Sequence, residues 1–164
     1  MAVEELASDT ILIVGGGPVG LILATTLAHH GVKSVLIESN LATTRWPKMD
    51  LTIARSMEIF RCLGIADDFR NQRRTMPLEP WQRVSQEVFE TWMKELGEEN
   101  PMVDLRFGWK ATSARELDDC AEVQVTDVRP GTERTIRSPY GVGCDGANSV
   151  MRNSLGIEID GGPM

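Results

Sequence analysis

The sequence predicts an α/β fold, a βαβ unit followed by a small antiparallel β-meander, and three observations predict it. An apolar β-favouring run, Ile11-Leu12-Ile13-Val14, stops at three consecutive glycines. From Pro18 the apolar period becomes helical, and a second β-favouring run, Val35-Leu36-Ile37, follows it. Beyond Pro101 the period changes to alternation, with a tight-turn sequence between the alternating runs.

Taken in order, residues 10–14 read as a strand covered on both faces. Residues 18–30 read as a helix, with Val19, Ile22, Leu23, Thr26 and Leu27 at helical spacing and Gly31 available as the left-handed residue at its end. Residues 34–38 then form a second buried strand. Residues 52–63 predict an amphipathic helix with Ile53, Met57, Phe60 and Leu63 on one face and Gly64 as its stop. Residues 67–80 are polar, carry a solvated Arg73-Arg74 pair and two prolines, and read as loop. Ser85 can cap a helix running to Leu96, whose Val88, Trp92 and Leu96 share a face, with Gly97 ending it. Residues 103–107 alternate, and residues 121–128 place Val123 and Val125 opposite Glu122, Gln124 and Thr126. The Arg129-Pro130-Gly131 turn leads into residues 132–137, and residues 140–144 form a last short strand ending in Asp145-Gly146. The sequence holds no internal repeat and no low-complexity tract.

The 164 residues form a single domain, 1–164, with one core. Hydrophobic residues at 41% and charged residues at 25% are ordinary globular composition, which excludes wholesale disorder. A net charge of -7 argues against nucleic acid or an anionic membrane as the partner, since phosphates call for clustered Lys and Arg. Cys62, Cys120 and Cys144 are odd in number and far apart, so no metal or redox pair is expected, and a reducing, cytoplasmic setting fits. The acidic start, with Glu4, Glu5 and Asp9, does not resemble a secretory leader. No Asp, Glu, Lys or Arg occurs from Thr10 through Val32, long enough to mimic a membrane span, but Gly15, Gly16, Gly17 and Pro18 break it where a spanning helix is continuous. His29 and His30 suit a helix C-terminus and lack a third ligand nearby. Trp81, Trp92 and Trp109 read as packing residues.

Gly15-x-Gly17-x-x-Gly20 follows a strand and opens a helix, the context that gives this motif its meaning. The first glycine makes a tight turn, the second lets a diphosphate reach the backbone, and the third lets helix and strand pack closely. Pro18 and Val19 sit at the helix start, whose amides and dipole favour phosphate. Glu38 ends the second strand about 20 residues on, where a carboxylate can accept both hydroxyls of an adenosine ribose and repels a 2′-phosphate. The unit is Rossmann-like, and its ligand is expected to be FAD or NAD rather than NADP.

Three further segments narrow this. Ala54-Arg55-Ser56-Met57-Glu58-Ile59-Phe60-Arg61-Cys62-Leu63-Gly64-Ile65 resembles the "MEIFR…LGI" helix of the FAD-dependent aromatic-ring monooxygenases, the phenol hydroxylase and para-hydroxybenzoate hydroxylase family. Arg83-Val84-Ser85-Gln86 is similar to that family's "R-x-S-Q" helix start. The stretch from Tyr140 to Arg152, containing Gly143-Cys144-Asp145-Gly146-Ala147-Asn148-Ser149, is similar to its "Y-L-V-G-C-D-G-A-x-S-x-V-R" signature. The resemblance implies that Gly15, Gly17, Gly20 and Glu38 hold the ADP half of FAD, that Arg55 and Gln86 lie along the pyrophosphate and ribityl chain, and that Asp145 and Gly146 support the flavin and transient NAD(P)H binding. It also implies that NAD(P)H and O2 are used to hydroxylate a small phenolic substrate. No protein nucleophile is needed, so no catalytic side chain is expected.

The chain departs from the family in three ways: a short connection between Ile65 and Arg83, Gly141 at a usually apolar position, and an end at Gly161-Gly162-Pro163-Met164, before the family's later Gly-Asp segment. These departures lead to the expectation of a FAD-binding domain that is incomplete relative to the family, binds FAD weakly and does not hydroxylate. Two other classes stay open: an NAD-binding dehydrogenase module, which has no use for the Asp145-Gly146 segment, and a non-catalytic remnant that self-associates through exposed apolar surface.

Overall fold

A computed structural model describes residues 2–45, 51–52, 54–71 and 82–161. Ile53, Arg73, Arg74 and Trp81, singled out above, lie outside the described residues. In chain order the elements are β1 (Ala2–Glu5), β2 (Thr10–Val14), α1 (Pro18–His29), β3 (Lys33–Glu38), β4 (Leu51–Thr52), α2 (Ala54–Cys62), α3 (Ala66–Asn71) and β5 (Gln82–Arg83). They continue with α4 (Gln86–Glu99), β6 (Val103–Phe107), β7 (Trp109–Glu116), β8 (Ala121–Asp127), β9 (Thr132–Ser138), β10 (Tyr140–Gly143) and α5 (Val150–Ser154).

Two four-stranded sheets stack between helices and solvent. The first, in the order β10-β2-β3-β6, is parallel throughout. The second runs β1-β9-β8-β7, antiparallel through the meander with β1 added in parallel at its edge. Alternation along the central strands creates two cores. Ile13 and Leu36 point to a helical layer containing Leu21, Ala24, Phe60, Phe69, Phe89 and Met93. Leu12, Val14, Val35 and Ile37 point the other way, onto Val123, Val125 and Ile136 of the meander. Both faces of the central strands β2 and β3 are therefore covered, which is why these two read as unbroken apolar runs. Phe60, Phe69, Phe89 and Trp92 form an aromatic cluster with centroid separations of 5.2–6.2 Å, joining α2, α3 and α4.

Several elements differ from the sequence reading. Residues 67–71, read as loop, belong to α3 (Ala66–Asn71), whose Ala66 and Phe69, three apart, are both buried. Gly97 does not end α4; the helix continues to Glu99, and Gly97 lets it approach β6, where an added Cβ would stand 2.8 Å from the Leu105 side chain. The buried face of α4 is Phe89, Trp92 and Met93, while Val88 is exposed. Residues 103–107 join the parallel sheet beside β3 rather than the meander, and β1 and β7 complete the second sheet. On the face of β8 opposite Val123 and Val125, Glu122 is buried, its carboxylate accepting from the Nε groups of Arg115 (2.6 Å) and Arg137 (2.8 Å). The uncharged stretch at 10–32 is split into β2, a bend and α1, and no helix among the described residues is long and apolar enough to cross a membrane.

Candidate functional site

Strands β2, β3 and β10 all end at the same edge of the parallel sheet, with β2 in the middle. The chain leaves β2 towards β3 on one side, and β10 flanks it on the other, so a crevice opens where the connections diverge. The bend at Gly15–Gly17 sits at its mouth. Gly15 has φ +112°, and a Cβ there would stand 2.4 Å from the carbonyl oxygen of Cys144. Gly20 lies beneath the bend, where a Cβ would come 1.9 Å from the Gly15 carbonyl oxygen. These two glycines are therefore demanded by backbone approach. Gly17 is different: its backbone is extended, and a Cβ built on it meets no protein atom within 4 Å. The space above Gly17 is open to a ligand.

Glu38 stands against the bend, as its spacing predicts. Its Oε2 accepts the Gly16 N–H at 2.7 Å, and its Oε1 accepts from the Asn40 amide (2.8 Å), the Asn40 carboxamide (2.6 Å) and the Ser39 hydroxyl (3.0 Å). Gly16, a motif "x", is needed too, since a Cβ would sit 2.7 Å from the Glu38 Cβ. At α1 no side chain caps the helix and Pro18 has no N–H, so the first-turn amides lack intrahelical partners and the positive end of the helix dipole faces the crevice.

The crevice encloses about 430 Å³, within the range of roughly 300–1,000 Å³ typical of small-molecule sites. Gly15, Gly17, Pro18, Val19 and Glu38 line one side, and Gln86, Asp145 and Gly146 line others. Asp145 is engaged locally: Oδ1 accepts the Ser149 hydroxyl (2.5 Å), and Oδ2 accepts the amides of Val150 (2.6 Å) and Met151 (3.2 Å), folding the start of α5. That leaves Gly146, with φ +79°, as an exposed turn at the rim. Burial, with the charge of Asp145 beside it, pushes the Cys144 thiol up, so it stays protonated in the crevice wall. Gln86 is buried at the start of α4 and donates to the Glu90 carboxylate at 2.6 Å.

Two predicted residues are not brought to the crevice lining. Gly20 serves packing beneath the bend. Arg55 sits on the outside of α2, its side chain 76% exposed and paired with Glu58 at 2.9 Å. Conversely, Asn40, Trp109 and Lys110 line the crevice without having been marked by any motif, and Asn148 lines it from a variable position of the Tyr140–Arg152 signature. Trp109 carries the guanidinium groups of Arg106 and Arg134 over its ring, 5.1 and 5.4 Å from the centroid, and also lines the crevice. No cluster of His, Cys, Asp or Glu among the described residues is arranged to hold a metal ion.

Comparison with known proteins agrees with this geometry. The family described as "FAD binding domain" matches residues 8–79 and 71–163. The FAD-dependent monooxygenase apdD of Emericella nidulans is 47% identical over 205 aligned positions, which cover all of this chain and 33% of that protein. The 3-(3-hydroxy-phenyl)propionate/3-hydroxycinnamic acid hydroxylase of a Mycobacterium species is 27% identical, over 98% of this chain and 32% of its own length. Among solved structures, the flavin-dependent monooxygenase PieE in complex with FAD and substrate superposes with a TM-score of 0.85 at 29% identity, over 94% of this chain and 33% of that one. The chain thus spans about a third of the length of the relatives it matches. The alignment to apdD is also longer than the 164-residue chain, so that relative carries additional residues within the matched region. An NAD-binding dehydrogenase module is set aside by this match, and the chain belongs to the FAD binding domain family, sharing its fold and sequence with part of the FAD-dependent monooxygenases.

Proposed function

We propose that this chain is the FAD-binding portion of a flavin-dependent monooxygenase that hydroxylates a phenolic substrate with NAD(P)H and O2, and that by itself it holds the ADP half of the cofactor without turning over substrate. The observation that carries this reading is the open space at Gly17, where the backbone is bare, no protein atom lies within 4 Å of a built Cβ, and uncapped helix-start amides face the crevice. Such a place fits a diphosphate. In this reading the Gly17 backbone and the Val19 amide meet the phosphates. Glu38 accepts the ribose hydroxyls on Oε1, in place of the Ser39 hydroxyl and the Asn40 carboxamide that it now holds. Gln86 and the Asp145-Gly146 turn bound the path towards the flavin. Arg55 is given no part, because it lies off the crevice.

The chemistry supplied by bound FAD is reduction by NAD(P)H and the transfer of one oxygen atom to an electron-rich ring. The protein's share is to hold the cofactor, orient the ring and exclude water. A phenolic substrate is favoured because a relative's name specifies a hydroxy-phenyl acid. The chain spans about a third of the length of those proteins, so turnover is tested apart from cofactor binding. The free, separated thiols of Cys62, Cys120 and Cys144 are in keeping with a reducing, cytoplasmic setting.

The test is to titrate the purified chain with FAD and record its visible spectrum. Shifted flavin bands and quenched flavin fluorescence are expected, with no substrate-dependent oxygen uptake when NAD(P)H and a phenol are added. A chain that stays colourless at high FAD concentration overturns the reading, and robust hydroxylation overturns the claim of incompleteness. Self-association is a second reading, favoured by Tyr140, 69% exposed on the edge strand β10, and by exposed Leu155, Ile157 and Ile159. A concentration-dependent mass in sedimentation supports it, and a monomer at all concentrations removes it.

A further inference from the structure

Glu90 is a buried acid, 4% exposed, in the second turn of α4, four residues after Gln86. Its two oxygens are used separately: Oε1 accepts the Gln86 Nε2–H at 2.6 Å, and Oε2 accepts the Thr44 backbone N–H at 2.9 Å. Both partners are donors. A carboxylate accepts on both oxygens, whereas a carboxamide of the same shape has one acceptor, so it either leaves one of the two N–H groups unmatched or forces the Gln86 carboxamide to flip and present its oxygen. The site therefore calls for an acid rather than for volume or general polarity. A buried carboxylate is unfavourable unless its hydrogen bonds are complete, so the two bonds are coupled to its burial.

Those bonds join two parts of the cofactor crevice. Gln86 lines the main crevice, and Thr44 closes the segment 39–45 that follows β3, which is also held at Asn40 by Glu38 and by the Gly108 amide. A second tie between the Thr43 and Thr91 hydroxyls (3.3 Å) lies beside the first. Glu90, Gln86, Gly16, Gly17 and Glu38 border a smaller cleft of about 170 Å³ on the same side of the bend. We propose that Glu90 is a positioning residue of the cofactor site, which orients the Gln86 carboxamide and fastens segment 39–45 across the dinucleotide crevice. This rests on the FAD-binding reading above, but the tie itself can be measured without cofactor.

The purified chain is titrated with FAD as wild type, Glu90→Gln, Glu90→Asp, Gln86→Ala and the Gln86→Ala/Glu90→Gln double variant, with Glu95→Gln on the exposed side of α4 as reference. Glu90→Gln is expected to weaken FAD binding about tenfold, by leaving one buried donor unmatched. Glu90→Asp, smaller but with two acceptor oxygens, is expected to lose less than Glu90→Gln, the reverse of the order set by side-chain volume. The Glu90→Gln effect shrinks in the Gln86→Ala background, because part of it passes through Gln86. In cofactor-free protein, hydrogen exchange at the Thr44 amide rises about tenfold in Glu90→Gln and stays at the wild-type rate in Glu95→Gln. Wild-type FAD affinity in Glu90→Gln, or a loss larger in Glu90→Asp than in Glu90→Gln, overturns the proposal while leaving the FAD reading intact. A wild type that takes up no FAD sinks the FAD reading and the cofactor half of this one, and the Thr44 exchange then decides whether Glu90 ties the segment.

Discussion

The two walls of the crevice are made of different material. The inner wall, from Gly15 to Gly20 against Cys144, is backbone on backbone: Gly15 donates to the Ile37 carbonyl at 2.8 Å, Cys144 donates to the Val14 carbonyl at 2.7 Å, and added Cβ atoms at Gly15 and Gly20 would lie 2.4 and 1.9 Å from carbonyl oxygens. The outer wall is held by side-chain carboxylates: Glu38 on the Gly16 and Asn40 amides, Glu90 on the Gln86 carboxamide and the Thr44 amide. A wall of backbone has no softer coordinate to yield when it is crowded, so substitutions at its crowded positions, Gly15 and Gly20, act on the fold. A wall of hydrogen-bonded carboxylates can lose one bond and remain, so substitutions there act by degrees on the ligand.

The sharpest break of this contrast is Gly20→Ala. The new methyl has nowhere to go but into the Gly15 carbonyl, and overpacking of this kind costs about 3 kcal/mol. For a domain of this size that lowers Tm by roughly 6–12 °C, read by thermal unfolding. A Tm within two degrees of wild type shows that the bend can slide, and the contrast fails. Gly17→Ala sharpens it from the other side. Its methyl enters empty space on an ordinary backbone conformation, so Tm changes little, about 0.5 kcal/mol in either direction. That methyl occupies the place assigned to the diphosphate, and FAD affinity is expected to fall tenfold or more, about 1.4 kcal/mol or above. Unaltered affinity in Gly17→Ala shows that the phosphates lie elsewhere.

The inner wall was legible in the sequence because glycine has one reason to recur at that spacing after a strand, and Glu38 was legible because a strand of fixed length delivers it beside the bend. Gly16 was hidden inside the motif's variable position, though three glycines in a row are themselves a signal of crowding. Glu90 was within reach: it follows Gln86 by one helical turn, the spacing that brings side chains together. Asn40 and Lys110 were not, since they reach the crevice from a connection and from a strand whose register is set by tertiary pairing. Arg55 shows the limit of a motif match, since a matched residue type in a matched helix says nothing of the direction its side chain takes, and here it pairs with Glu58 on the outside of α2. The loop reading of residues 67–71 failed because a six-residue helix carries too few positions to display a period, and only the burial of Ala66 and Phe69 reveals it.

The smallest expected effect lies away from both walls, in the meander, where Glu122 fastens three strands. Its side chain is 4% exposed, and hydrogen bonds from Arg137 first and Arg115 second hold its carboxyl below the usual glutamate range. Arg137 also reaches Glu5 of β1 at 3.0 Å, so the cluster binds the first strand to the last of the meander. A carboxyl whose folded value lies below its unfolded value adds stability above the unfolded value, about 4.3, and that stability is lost as pH falls through the folded value. Asp9, lowered chiefly by its hydrogen bond from Lys33, acts in the same direction, but the pair is exposed and screened. Tm is therefore expected to fall on acidification below about pH 4.3, and to fall less steeply in Glu122→Gln, which starts lower at neutral pH because an amide cannot accept from both guanidinium groups on two oxygens. Parallel Tm curves for the two proteins across that range remove Glu122 as the source of acid sensitivity. Because no atom of this cluster lines the crevice, FAD affinity at neutral pH stays at the wild-type value in Glu122→Gln, and a change there shows that the meander and the crevice are mechanically coupled through the shared core of Val14, Ile37 and Val125.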